Sequence, residues 1–138
     1  MKTFLIVIGA IVLLLAGSTL WSKSLQSSDP DIVARSGMHW HPQLEIYVKG
    51  EKQEIPQNVG IGAVHSPMHT HDDLPIIHLE YSGVVRNDDI MLGQFFKVWE
   101  RDMNSFGSNM KMTVNGEEST EFGDYVMRDG DKIELRYE

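Results

Sequence analysis

A chain of 138 residues with 12 basic and 20 acidic side chains, a formal net charge of −8 and no cysteine has room for about one domain. The acidic balance argues against nucleic acid and anionic lipid headgroups as partners. The missing thiols exclude disulfide staples, thiolate zinc sites and cysteine nucleophiles together.

Residues 3–21 carry no charge and are flanked by Lys2 and Lys23. The stretch is near the lower limit for crossing ~30 Å of hydrocarbon, and it reads as either a membrane span or a secretory h-region. Ala16-Gly17-Ser18 supplies small residues for cleavage, whereas Leu20 and Trp21 extend the apolar character and Trp is an interfacial anchor. These flanks favour an uncleaved signal anchor over 1–21, with a removed signal peptide as the alternative. The expected location is the cell membrane, single-pass with an extracytoplasmic domain, or else secreted or periplasmic after cleavage. Beyond this segment lie all 20 acidic residues and every basic one but Lys2, so the exported part is more acidic than the whole chain.

Residues 22–37, rich in Ser, Asp and Pro, read as a flexible linker, and the folded domain is expected over 38–138. From His39 the chain alternates: Trp40, Leu44, Ile46 and Val48 take one parity, and His39, His41, Gln43, Glu45 and Tyr47 the other. Period two predicts one half-buried strand, turned at Lys49-Gly50-Glu51 into a short return strand ending near Ile55-Pro56. Residues 58–64 are turn-prone. The stretch from His65 to Asp73 is a polar loop stiffened by Pro67 and Pro75. Residues 76–81 predict a strand with Ile77, Leu79 and Tyr81 on one face and Ile76, His78 and Glu80 on the other. Asn87-Asp88-Asp89 precede Leu92, Phe95, Phe96 and Trp99, the i, i+3, i+4, i+7 stripe of one core helix. A strand over 111–114 enters the Asn115-Gly116 hairpin turn. Strands over 122–127 and 133–137, joined by Asp129-Gly130, complete the sheet, with Ile133, Leu135 and Tyr137 inward.

This order predicts an α+β fold: a β-grasp-like mixed sheet packed on a single helix, preceded by an N-terminal hydrophobic helix. The final segment, Tyr125-Val-Met-Arg-Asp-Gly-Asp-Lys-Ile-Glu-Leu, resembles the last strands of small β-grasp (ubiquitin-like) carrier and ligand-binding domains. The chain ends Arg136-Tyr137-Glu138 where sulfur-relay carriers end in Gly-Gly, so the carrier function is not expected. More widely, His39-Trp-His-Pro, Met68-His-Thr-His-Asp, Ile77-His-Leu-Glu, Leu92-Gly-Gln-Phe-Phe, Met112-Thr-Val-Asn-Gly and the Asp-Gly-Asp end resemble a group of small membrane-anchored, His-rich proteins of uncultured bacteria and archaea. That group is defined by its pattern, and it implies the fold without an activity.

All six histidines lie between His39 and His78, two of them in each of two His-x-His pairs. On a strand, residues i and i+2 project from one face, so a pair offers two imidazoles to one ion at little ordering cost. Clustered His beside carboxylates is a transition-metal signature. The candidate ligands are His39, His41, His69 and His71, with His78 competing for the fourth place. Asp72 and Glu80 are the candidate outer partners, because ligating imidazoles donate their other N–H to a carboxylate or carbonyl. His65 stands as either a ligand or a loop residue. Met68 offers a soft sulfur, whereas Met38 points away from His39. An imidazole set in an exported domain favours copper, with zinc second. The expected function is an extracytoplasmic protein that sequesters or hands on this ion. The alternatives are a protein-interaction module with non-ligand histidines and a small metal-dependent hydrolase. No H-E-x-x-H, G-x-S-x-G or phosphate-cradling glycine motif supports catalysis.

Overall fold

The computed structural model describes residues 1–26 and 29–138. It is an α+β fold with two compact units, Met1–Asp31 and Ile32–Glu138.

The first unit is helix α1, Lys2–Gln26. Its segment Ile6–Ser24 is 19 residues long and apolar enough to cross a membrane, with none of it buried. Leu13, Leu14, Leu20 and Trp21 are all exposed, as expected of a helix whose solvent is lipid or of a signal sequence. The helix continues five residues past Trp21 into the expected linker, of which residues 27–28 lie outside the described part.

The second unit contains three sheets. Strand β1 (Ile32–Ala34) belongs to the smallest and pairs antiparallel with β7 (Val85–Arg86), so the linker stretch also contributes paired backbone. Strands β2 (Met38–Trp40), β6 (His78–Tyr81) and β5 (Met68–His69) form an antiparallel three-stranded sheet in the order β2-β6-β5. The largest sheet has the order β4-β3-β10-β8-β9, built from β3 (Gln43–Val48), β4 (Glu51–Gln53), β8 (Lys111–Val114), β9 (Glu117–Ser119) and β10 (Lys132–Tyr137). It is mixed: β10 runs parallel to β3 and antiparallel to β8.

The strand expected over 39–48 is therefore two strands in two sheets. Parity is kept, since Leu44 and Ile46 are fully buried, but the chain turns at His41-Pro42. Proline has no N–H to give to a ladder, and its carbonyl accepts from Ile77 N at 2.8 Å while Leu44 N donates to Pro75 O at 2.9 Å. Residues 75–77 thus bridge the two sheets. The strand expected over 122–127 is also different: Phe122–Asp124 is a 3-10 turn, followed by a single bridge between Val126 and Met91. Gly93 sits against it so closely that a Cβ would come within 2.9 Å of the Gly123 carbonyl oxygen. Backbone packed against backbone leaves no room for a further ladder.

Helix α2, Leu92–Val98, forms where the aromatic stripe predicts it and buries Leu92, Phe95 and Phe96. Asn87–Ile90 is a 3-10 turn in which the Asp89 carboxylate accepts from Arg86 N at 2.8 Å. One apolar core joins Leu44, Ile46, Met112, Ile133 and Leu135 of the large sheet, Met68 and Leu79 of the small sheet, and the buried face of α2. Tyr137, inward as expected, is tied by its hydroxyl to the Met103 carbonyl at 2.7 Å, and burial pushes its pKa up to about 12.

Candidate metal centre

The three-stranded sheet has two dissimilar faces. Alternation along β5 sends Met68 into the core (1% exposed) and His69 to the opposite side. The same alternation puts Leu79 in the core and His78 and Glu80 on the other face of β6. Register then sets the pairs: His39 lies opposite Glu80, and His69 opposite His78. Directly opposed residues bring their Cβ atoms to about 4.5–5.5 Å. Two residues further along the first register, His41 falls beside His78, with ring centroids 5.0 Å apart.

His78 is the hub. Its ring centroid is 5.0 Å from His41, 5.5 Å from His69, 4.9 Å from His71 and 6.4 Å from His39. Within each His-x-His pair the centroids are 4.6 Å (His39 and His41) and 4.8 Å (His69 and His71) apart. The five histidines singled out by spacing are thus brought to one place. His65 is exposed and takes part in none of these ring contacts. Both soft sulfurs are accounted for elsewhere: Met68 is core, and Met38 packs against the core from the face opposite His39.

Buried Thr70 pins the second pair. Its hydroxyl donates to the Pro56 carbonyl at 2.9 Å and accepts from Val59 N at 3.0 Å. Its backbone N–H and C=O pair with Val59 and Asn58. With Thr70 locked inward, His69 and His71 must face the site. The loop that receives Thr70 closes at Gly60, where φ is +73° and a Cβ would come within 2.5 Å of the Met68 carbonyl oxygen. Only glycine fits there.

The first pair is pinned from the far end of the chain. Buried Asp131 accepts from Tyr125 Oη at 2.6 Å, Arg128 N at 2.8 Å and Asn115 Nδ2 at 2.9 Å. These bonds hold the Asp129-Gly130 turn, and Asp129 Oδ1 accepts from the His41 backbone N–H at 2.8 Å.

The imidazoles have acceptor partners that set their tautomers. A carboxylate or carbonyl oxygen can only accept, so in a neutral ring the nitrogen facing it carries the proton and the other keeps its lone pair. His69 Nδ1 faces the Ser66 carbonyl at 3.0 Å, leaving Nε2 as the ligand atom. His39 Nε2 faces Glu80 Oε1 at 2.9 Å. His78 Nε2 faces both oxygens of Asp73, at 3.1 and 3.0 Å. Asp73 is therefore the neighbour that meets an imidazole, whereas Asp72, the sequence candidate, is exposed beside it. Nothing local separates two adjacent aspartates, and Asp129 lies 88 residues from its partner, so neither partner was visible in the spacing.

Electrostatics favour the ligating, neutral form at His69. Burial lowers the His69 pKa below its ordinary value, against a smaller opposing pull from the Ser66 carbonyl, which favours the neutral ring. The hydrogen bond from His78 holds the Asp73 carboxyl below its ordinary value. His78 Nδ1 is buried and is the one buried side-chain polar atom without a hydrogen-bond partner among the described residues. A buried acceptor with no donor costs about 1–3 kcal/mol, and a bound cation would remove that cost.

Within ligand reach the residues fall into two sets of three. His39, His41 and His78 form one, and His69, His78 and Glu80 form the other; in each, the three donor atoms lie within 4.8 Å of one another. Both sets are capable of coordinating a metal ion. Compared with known protein families, curated proteins and solved structures, the chain shows no match, so the functional reading rests on this geometry.

Proposed function

We propose that this is an extracytoplasmic metal-binding protein, held at the membrane by α1, that takes up a divalent transition metal on the histidine face of its small sheet and hands it on. The observation that carries the reading is His78: a largely buried imidazole amid four others, with one nitrogen held by Asp73 and the other left without a partner. The donors are imidazole nitrogens with one carboxylate, which suits Cu(II) and Zn(II), and the Irving–Williams order puts Cu(II) ahead. With Met68 packed in the core, a preference for Cu(I) loses its main support. The exposed side chain of His39 leaves the cluster open to exchange.

The strand order of the large sheet, with the last strand parallel to the first between two hairpins, supports a β-grasp reading. On that reading β5 and β6 are an insertion between the first hairpin and α2, completed by β2. The metal face would then be an addition to the core architecture.

The test is the full-length chain, purified in detergent without a histidine tag and titrated with Cu(II) and Zn(II). Saturable binding below micromolar, lost in His78→Ala, is expected. A chain that takes up neither metal ends the proposal.

A further inference from the structure

The two ligand sets share one residue, and the hydrogen bonds of that residue limit what they can hold together. His78 Nε2 donates to Asp73, so its single lone pair is on Nδ1. One lone pair ligates one ion. Bridging two ions through this ring requires stripping the Nε2 proton and breaking the contact with both Asp73 oxygens. Glu80 is shared in a second sense: it accepts from His39 of the first set at 2.9 Å and is itself a donor to the second. The sets differ in exposure at their histidines, with the His39 and His41 side chains 59% and 41% exposed and His69 only 4% exposed as a residue, while the Glu80 side chain of the second set is 47% exposed.

We propose that the chain holds one ion at a time in two mutually exclusive positions on either side of His78: one with His39 and His41, and one with buried His69 and exposed Glu80. The inference rests on the metal-binding reading above and adds its stoichiometry. His78 is a ligand in both positions.

The experiment is equilibrium dialysis of the full-length chain in detergent against Zn(II), with Co(II) absorption spectra as a second readout. The parent is expected to bind one equivalent. When two positions compete for one ion, the observed association constant is the sum of the two, so the stronger contributes at least half. Either His39→Ala/His41→Ala or His69→Gln should therefore keep the parental affinity to within about twofold. The other should still bind one equivalent more weakly, and the two Co(II) spectra should differ. His78→Ala should bind none. Two equivalents in the parent, which needs no variant to fold, overturn the alternation and leave the metal reading standing. Complete loss in both side variants also overturns it, by pointing to one composite site. No uptake by the parent overturns both.

Discussion

The large and small sheets of this domain face opposite demands. The large sheet turns Leu44, Ile46, Ile133, Leu135 and Tyr137 onto the core, all at most 3% exposed, and area removed from water holds it at roughly 25 cal/mol per Å². The small sheet does the same on one face with Met68 and Leu79, yet its other face gathers five imidazoles with a buried nitrogen unpartnered. The first face is apolar and closed; the second leaves the His78 Nδ1 without a hydrogen-bond partner. Within the small sheet, the apolar face and the histidine face lie back to back on the same strands, so packing on one side fixes the spacing of the imidazoles on the other.

The comparison breaks most visibly if the core is opened. Phe95 is fully buried, with its ring 5.9 Å from those of Phe96 and Trp99. Phe95→Ala is expected to cost about 3–5 kcal/mol, read as a fall in the urea midpoint, with metal binding lost only as the fold is lost. On the histidine face the same measurement should respond to metal. At a free concentration of 100 times Kd, stabilisation of about 2.7 kcal/mol is expected. His78→Leu, which removes the unpartnered nitrogen, should leave the metal-free protein within about 1 kcal/mol of the parent while abolishing that gain. A metal-free His78→Leu protein that unfolds as readily as Phe95→Ala would show that the two faces are not separable.

Thr70 lies between the two regimes, because it is core by burial and site by what it positions. Thr70→Val keeps the shape and removes two hydrogen bonds, leaving the Pro56 carbonyl and the Val59 N–H without them. A cost of about 1–3 kcal/mol is expected, with metal affinity falling further than stability, since His69 and His71 lose the side-chain half of their anchor. Calorimetric titration beside thermal unfolding separates the two losses. The smallest effect is that of pH on the metal-free chain. His69 has a folded pKa below its ordinary 6.5, so the unfolded chain binds the proton more readily. The stability His69 contributes is fully present above about pH 6.5 and is lost as pH falls through the folded value. His69→Gln should flatten that part of the urea-midpoint profile. A profile unchanged by the substitution would show that His69 is not desolvated.

Much of this architecture is local and can be read without coordinates. Parity along 43–48, the Leu92-Phe95-Phe96 stripe and the Asn115-Gly116 turn each depend on residues within a few positions, and each takes its expected form. Two of the expected strands missed because a tertiary contact overrode the pattern, and Met68–His69, expected in a loop, is paired as β5. Pro42 could end one strand and begin another only where Ile77 was present to take its carbonyl. The stretch after Phe122 gave up strand geometry to the close approach of Gly93.

The histidines divide the same way. Their number, their i, i+2 spacing and their closeness to carboxylates are properties of the chain itself. Alternation puts the first pair on one side of its expected strand, whereas the second pair, expected in a loop, is turned to the site by Thr70. Which rings meet depends on registers between separate strands: His39 opposite Glu80, His69 opposite His78. Those registers were chosen by the apolar face, where burying Leu79 and Met68 together admits one alignment and a one-residue slip would turn the imidazoles into the core. Composition made a cation site possible; packing on the opposite face made His78 its centre and Asp73 its partner.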